Sequence, residues 1–466
     1  MAFGPGEVSH PAAHPCTKDR AMNTLASDRV RHDLGAAMAD RAGGSGIRAN
    51  RPPLPGVALR IFAPFAAGYF LSYLFRTIDG TLADELVRSL ALDARMLGLI
   101  TAVYFLTFAA FQLPLGVLID RFGPRRLGAA LLGVAAVGAA MFGLGHDVAV
   151  LLVGRALIGL GTSGALMTGL KALVQWNDQA RLPLLNGCFI MFGGLGAMAA
   201  TEPVHLAVAV IDWHVLFLGL AGATLLSAIA IFTLVPERET AAAAPGLRDL
   251  AGGFAQVYRN PGFRRVAPLS AAMIGTAFAV QSLWAARWMA DVEEFTPGQV
   301  IGHMFLMGSA LTAGAALIGI VAGALRRRGV PAPRILAGAG LLFVVLQVLV
   351  VSRAPVPTYL LWPAFAVFAA MTALSYAILA EMFPQELVGR ANGALNVLHL
   401  GMAFAIQFAM GLIVGRWAPD PAGRYPVAAY QAAFLLPLIL CALGLAWFLL
   451  GAREVTAAVP CQERQG

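Results

Sequence analysis

The chain has 466 residues, of which 59% are hydrophobic and only 12% are charged, whereas soluble globular chains carry about 25% charged residues. A soluble protein of this length could not bury so much apolar side chain, because its surface is too large relative to its volume. Composition therefore excludes a soluble globular fold and predicts an all-α integral membrane protein. The net charge of +8 does not indicate nucleic-acid binding, because most arginines lie in short segments between apolar stretches.

Residues 1–55 are polar and contain no apolar segment of the kind found in signal peptides. We expect a disordered cytoplasmic extension here. Met22 and Met38 are alternative starts, so the sequence does not establish that this segment is translated or functional.

Twelve apolar stretches follow, each close to the roughly 20 residues that an α-helix needs to cross a bilayer. The predicted helices one to six are 57–85, 95–119, 127–145, 148–174, 184–209 and 215–235, and helices seven to twelve are 265–289, 298–324, 335–352, 358–382, 391–415 and 429–450. A polar link at 236–264 divides them into two halves, 56–235 and 265–450, and a cytoplasmic tail follows at 451–466.

The arginines of the loops predict the orientation of the chain, because cytoplasmic loops are enriched in Lys and Arg. One side of the predicted bundle holds the arginines of the link together with Arg121, Arg125, Arg126, Arg181, Arg326, Arg327, Arg328, Arg334 and Arg390. The loops of the other side hold only Arg88, Arg95, Arg353, Arg416 and Arg424. We therefore expect both termini in the cytoplasm and the chain in a bacterial inner membrane.

Two pairs of landmarks indicate that the halves are repeats of each other. The segment 116–121 returns in altered form at 323–328, 207 positions later, and Asn186-Gly187 returns as Asn392-Gly393, 206 positions later. Parallel six-helix repeats are a recognised transporter architecture, with the substrate bound near the middle of the membrane between the repeats.

The segment 116–126, GVLIDRFGPRR, resembles the signature of the major facilitator superfamily in the loop between helices two and three, G-x-L-x-D-R-x-G-x-R-R. The resemblance implies a twelve-helix transporter with a cytoplasmic gate that holds the halves together in the outward-open state. The candidate gate residues are Gly116, Asp120, Arg121, Gly123, Arg125, Arg126 and Glu237. Gly116 permits close helix approach and Gly123 a tight turn. The alternative is simple positive-inside anchoring, and the second copy differs because Arg327 replaces Asp120.

Helix four carries Arg155 in the pattern R-x-x-x-G-x-G, which is similar to an element of the same family. The resemblance implies a part in substrate binding or proton coupling, whereas bracing helix four against helix one is an equal alternative. A buried arginine costs roughly 2.5–3.5 kcal/mol even on the lenient insertion scale. The family's antiporter signature has a Gly-Pro pair in helix five, which the run 193–198 lacks, and the nitrate signature is also absent.

Helix one presents Tyr69, Tyr73 and Arg76 on one face at steps of four and three residues. A guanidinium beside two phenol groups suits a carboxylate or a similar anion, so we predict substrate binding here. Asp79 follows one turn on and is a candidate for proton coupling. The alternative is that Arg76 and Asp79 pair with each other.

The second half offers two further polar faces for the substrate. Gln281 and Trp284 lie on one face of helix seven, although an interfacial tryptophan belt is the alternative for the latter. Asn396 and His399 lie on one face of helix eleven, and Thr372 and Tyr376 of helix ten are candidates to extend it. Hydrogen bonding between helices is the alternative for this group.

Glu202 is the second candidate for proton coupling, because a carboxylate partly buried in an apolar helix exchanges protons near neutral pH. It is only a solvated side chain if helix five ends early. Lys171 of helix four is expected to extend to the membrane surface.

These patterns predict a secondary active transporter that works by alternating access, and the preferred hypothesis is proton-coupled uptake of a small organic anion. Efflux of an amphipathic compound by proton antiport is the alternative, and a non-transporting receptor or assembly protein with the same fold is a second one. No P-loop or metal-ligand pattern is present, so we expect no enzyme activity, no cofactor and no metal. The expected partners are the solute, protons and the lipid bilayer, with no nucleic acid and a monomeric chain.

Overall fold

The computed structural model describes residues 55–178, 181–237 and 247–451. The predicted extension at 1–55 and the tail at 451–466 therefore lie almost entirely outside the described residues. Within the described ranges the chain is helical throughout and contains no β-strand, which confirms the predicted all-α fold.

Eleven helical stretches of the described chain are long and apolar enough to cross a membrane. One of them, Ala94–Leu144, has 51 residues and as a straight helix would be about 77 Å long at 1.5 Å per residue, which is more than twice the ~30 Å hydrocarbon core. It therefore contains helices two and three. The other ten are Leu59–Leu90, Val148–Trp176, Leu184–Val208, Trp213–Leu234, Pro261–Asp291, Pro297–Arg327, Ala332–Val351, Thr358–Met382, Leu387–Val414 and Val427–Leu450. The described residues thus make the predicted twelve crossings.

The turn between helices two and three is made by Gly123, whose φ of 74° and ψ of 160° interrupt the helical backbone. Left-handed φ values are accessible to glycine at little cost, and Pro124 restarts the helix with its fixed φ.

Aspartate residues cap the N-termini of helices two and four. Asp93 accepts a hydrogen bond from Met96 N at 2.8 Å, and Asp147 accepts one from Val150 N at 3.0 Å.

Several helix boundaries differ from the sequence prediction. Helix five ends at Ala199, and the short helix Glu202–Val208 follows it. Helix seven begins at Pro261 and contains a π-helical turn at Val280–Trp284. The predicted polar link 236–264 contains a helix, Leu247–Arg259, whose Val257 is buried and whose Tyr258 hydroxyl donates to the Ala394 carbonyl at 3.1 Å. This segment is amphipathic rather than uniformly polar, and it packs on helix eleven.

We call the end of the bundle that carries residues 121–126 the basic end, and the other end the opposite end. All polar contacts between the two halves among the described residues lie at the opposite end. They are the Arg287–Asp84 ion pair, Gln407 Nε2 to Thr101 Oγ1 at 2.7 Å, Ala94 N to the Tyr425 hydroxyl at 3.1 Å and Arg95 to the Gly415 carbonyl at 3.2 Å.

Close backbone approach supports the same closure. Gly98 of helix two faces Gly411 of helix eleven, and a methyl group added to Gly98 would lie 3.1 Å from the Cα of Gly411. Small residues permit such helix contacts in membranes. At the basic end, the described ion pairs stay within one half, as Lys171–Asp120 and Arg326–Glu381 do. The structure is therefore closed at the opposite end.

Candidate functional site

A cavity of about 310 Å³ lies between the two halves, which is at the small end of the range for ligand sites. Helices one, two, four, five, seven, ten and eleven supply its walls. The lining side chains that carry polar groups are Tyr69, Ser72, Tyr73, Arg76, Gln112, Thr162, Ser163, Thr372, Tyr376, Asn396 and His399. The structure thus brings together five of the eight predicted substrate-binding residues, namely Tyr69, Tyr73, Arg76, Asn396 and His399.

Among the described residues, Arg76 is the only Lys, Arg, Asp or Glu side chain that lines this cavity. Its guanidinium carbon lies 4.5 Å from the ring centre of Tyr73, 4.8 Å from that of Phe278 and 5.1 Å from that of Phe108. Cations are attracted to aromatic faces at such distances. No carboxylate of the described residues forms an ion pair with Arg76, and its buried Nε has no hydrogen-bond acceptor. The cavity therefore holds a positive charge without a counter-ion.

Tyr69 and Tyr73 are fixed beside Arg76 by aromatic packing. Their rings meet edge to face with centres 5.2 Å apart, and Tyr69 stacks on Phe189 of helix five at 5.1 Å. Tyr69 is 5% exposed. This packing holds both rings along the cavity wall formed by helix one.

Asp79 and Arg155 form a buried ion pair behind the cavity wall. Asp79 is 2% exposed and Arg155 is fully buried. Arg155 also donates to the Phe75 carbonyl at 3.0 Å and lies over the Phe142 ring at 4.6 Å. The alternative pairing of Arg76 with Asp79 does not form, and Arg155 braces helix four against helix one without lining the cavity.

The wall from the second half is a hydrogen-bonded group around His399. Its Nε2 lies 2.9 Å from Ser270 Oγ of helix seven, and its Nδ1 lies 3.2 Å from the Tyr376 hydroxyl of helix ten. His399 is 2% exposed. Both His399 and Tyr376 line the cavity, and Asn396 lines it one turn earlier on helix eleven.

Besides Asp79 and Arg155, three further predicted residues lie away from the cavity. Gln281 and Trp284 belong to the π-helical turn of helix seven and are buried near the opposite end. Glu202 is exposed in the first turn of the short helix that follows helix five. Helix five ends early, at Ala199, which is the condition under which Glu202 is expected to be a solvated side chain.

Sequence reasoning missed Gln112, whose Nε2 donates to the Ser163 carbonyl at 3.0 Å and which lines the cavity. A signal was present, because Gln112 is the only amide within apolar helix two. Ser72 continues the stripe of Tyr69, Tyr73 and Arg76 at helical spacing. The apolar residues Phe108 and Phe278 could not have been found by searching for polar groups.

At the basic end, Glu237 forms ion pairs with Arg126 and, at 3.4 Å, with Arg125. Asp120 pairs with Lys171 at 2.7 Å, so Lys171 reaches an acid rather than only the membrane surface. Arg121 lies 5.4 Å from the ring centre of Phe122. No neighbour lies within 4 Å of a methyl group placed on Gly116, so this glycine makes no close helix contact here.

Comparison with known proteins agrees with this architecture. The family model described as Major Facilitator Superfamily matches residues 65–399. A probable sulfoacetate transporter, SauU, of Cupriavidus necator is 27% identical over 187 residues. That match covers 39% of this chain and 43% of the relative, so it spans less than half of either protein.

Solved transporters share the fold at low sequence identity. A bacterial homologue of the human lysosomal transporter Spinster, solved in an inward-facing unoccupied conformation, superposes with a TM-score of 0.71 at 15% identity, covering 88% of this chain and 100% of the other. The nucleoside transporter NupG gives 0.67 at 13% identity, with 84% and 99% covered. The xylose transporter XylE from E. coli gives 0.61 at 13% identity, with 82% and 95% covered. Likeness at this level of identity defines the fold alone.

Proposed function

We propose that this chain, which belongs to the major facilitator superfamily, carries a small organic anion across a membrane and takes it up together with protons. The two six-helix halves would move about the central cavity, exposing it alternately at each end of the bundle. Arg76 is the residue on which the substrate class depends.

The observation that carries this proposal is the unpaired charge of Arg76. A buried arginine is costly unless an anion or polar groups compensate it, and the described lining residues supply no acid. A guanidinium binds carboxylate, sulfonate or phosphate oxygens with two parallel hydrogen bonds. An anionic substrate would therefore supply the counter-charge that the described lining residues lack.

The partial relative gives independent support for this substrate class. Its name assigns it sulfoacetate, a small organic anion with a carboxylate and a sulfonate group. A cavity of about 310 Å³ suits a molecule of that size.

The arginine bias of the loops favours a cytoplasmic basic end, and closure of the opposite end would then make this an inward-facing state. Uptake of an anion against an inside-negative potential costs about 2.3 kcal/mol per charge for each 100 mV. A proton that enters with the anion offsets this cost. Asp79 and Glu202 are the carboxylates that we predicted for coupling, and Asp79 is the nearer to the substrate site because it lies one turn from Arg76.

Uptake into proteoliposomes tests the proposal. We expect an inwardly directed proton gradient to drive accumulation of small carboxylates or sulfonates, and not of sugars or cationic dyes. Arg76→Gln should reduce anion uptake at least tenfold, because a charge-assisted pair contributes roughly 1.5–3 kcal/mol. Arg76→Lys should retain part of the activity, since it keeps the charge but loses the two-pronged geometry.

The control variant is Arg88→Gln, because Arg88 lies on the same helix, is exposed and pairs only with its neighbour Glu85. It should transport like the wild type. Proton-driven export of cationic dyes with no anion uptake, or full anion uptake by Arg76→Gln, would be incompatible with the proposal.

A further inference from the structure

Of the cavity-lining side chains that the structure describes, His399 is the one whose ordinary charge change falls between pH 5 and 8. The ring lies between two hydroxyl groups, with Ser270 Oγ 2.9 Å from Nε2 and the Tyr376 hydroxyl 3.2 Å from Nδ1. Both of its hydrogen-bonding positions are thus occupied by groups from neighbouring helices, and the ring stays at the cavity wall.

Hydroxyl groups can serve either charge state of this ring. Neutral imidazole donates one hydrogen bond and accepts the other, whereas imidazolium donates both. Serine and tyrosine hydroxyls can each donate or accept, so protonation requires only that one hydroxyl turns. If Tyr376 accepts from His399, its own proton is free to point into the cavity, where an anionic substrate would accept it.

The charged and titratable groups around His399 set the condition for this protonation. Helix seven offers Ser270 and helix ten offers Tyr376, while helix one contributes Tyr69, Tyr73 and Arg76 across the cavity. Among the described lining residues no acid is present. Burial of the ring and the charge of Arg76 both disfavour a second positive charge in the empty cavity, and a second negative charge on the substrate offsets these costs.

We propose that His399 takes up one additional proton when a dianion binds, so that the positive charge of the cavity neutralises the negative charge of the substrate. The inference rests on the proposed anion transport. A monoanion is neutralised by Arg76 alone, whereas a dianion is neutralised by Arg76 and the His399 imidazolium. The proton passes from water at the entry side to a ring nitrogen, crosses with the dianion and is released to water at the other side. Asp79 is less well placed for this task, because it is paired with Arg155 outside the cavity.

A matched pair of probes tests the proposal on the wild-type protein. Sulfoacetate is a dianion near pH 7, and 2-hydroxyethanesulfonate is a monoanion of nearly the same size that carries a hydroxymethyl group in place of the carboxylate. Proteoliposomes with a clamped membrane potential and an entrapped pH-sensitive dye report the protons that enter for each labelled anion. We expect one more proton per sulfoacetate than per 2-hydroxyethanesulfonate.

Equal proton counts for the two anions overturn the inference but leave the proposed anion transport intact. Uptake of neither anion overturns both. Among variants, His399→Gln should remove the difference in proton count and lower the ratio of dianion to monoanion uptake roughly tenfold, as expected for a lost charged hydrogen bond. Tyr376→Phe should lower the same ratio while the extra proton remains. An unchanged ratio and proton count in His399→Gln contradict the role of the imidazole.

Discussion

Asp79 lies one helical turn after Arg76, yet it pairs with Arg155 of helix four and leaves Arg76 without a carboxylate. Because Asp79 pairs with Arg155 and not with Arg76, the two arginines have different roles. Arg155 becomes part of the packing between helices one and four, and Arg76 keeps its charge for the cavity. The division explains why a first half with several charges presents only one of them to a substrate.

The Asp79–Arg155 pair should be essential for stability. Removing one member of a buried ion pair leaves an uncompensated charge and costs about 3–5 kcal/mol. Arg155→Met should therefore lower the melting temperature in detergent sharply, and the double variant Asp79→Leu/Arg155→Met should recover most of the loss, because it removes both charges. The melting temperature can be measured by heating the detergent-solubilised protein and following the loss of its monodisperse peak in size-exclusion chromatography.

The matched control is the surface pair Arg88–Glu85, in which Arg88 is 73% exposed. Exposed pairs contribute only about 0–1 kcal/mol, so Arg88→Met should leave the melting temperature close to that of the wild type. If Arg155→Met and Arg88→Met unfold at the same temperature, the buried pair has no special structural role.

Arg287 and Asp84 form the ion pair between the two halves at the opposite end. Asp84 is 62% exposed on its side chain, so screening by solvent limits the pair to about 1 kcal/mol. Asp84→Asn should shift the population toward opening at this end by up to about fivefold. Distances between spin labels placed on helices one and seven at the opposite end of the bundle report the shift.

Asp291→Asn is the informative comparison, because Asp291 also binds Arg287 but lies on the same helix and accepts from the Tyr430 hydroxyl. It should lower stability without directly breaking a contact between the halves. Identical distance distributions for Asp84→Asn and the wild type would show that this pair does not hold the end closed.

The helices themselves could be predicted from the sequence because each crossing needs a long apolar segment, and that requirement is local. Gly123 could be read as a turn for the same reason, since glycine in a basic loop permits a positive φ. The helix at Leu247–Arg259 was missed because its polar residues dominate the average over the segment. Its apolar face is visible only at helical spacing.

Part of the site could be predicted from the sequence, but the pairing of its charged side chains could not. Tyr69, Tyr73 and Arg76 form a stripe that the sequence reveals, and the stripe lines the cavity. Which arginine Asp79 pairs with depends on how helix four packs, and no spacing within helix one could reveal that the partner is Arg155. Gln281 and Trp284 failed to reach the cavity because the π-helical turn packs that segment against the other half near the opposite end.

Gly123 and Gly116 belong to the same sequence motif, residues 116–126, and should respond in opposite ways to alanine. Gly123 has a φ of 74° and a ψ of 160°, a backbone region that is essentially restricted to glycine and costs other residues roughly 1–3 kcal/mol. Gly116 lies in a helix with open space around it, where alanine is favoured by about 1 kcal/mol. The melting temperature should fall for Gly123→Ala and stay level or rise for Gly116→Ala, and the opposite order would contradict the assigned backbone conformations.

Gly411 should control closure at the opposite end, because a methyl group there would lie 2.8 Å from the Ala94 carbonyl and 3.2 Å from the Cα of Gly98. These are backbone atoms, so the helices must separate to admit a side chain. Gly411→Val should therefore disfavour this state and leave the opposite end open, so that a cysteine introduced at Thr101 reacts faster with a water-soluble thiol reagent. Gly401→Val is the control on the same helix, since nothing lies within 4 Å of a methyl group at Gly401. If both variants leave the labelling rate at Thr101→Cys unchanged, the contact between helices two and eleven does not determine which end is closed.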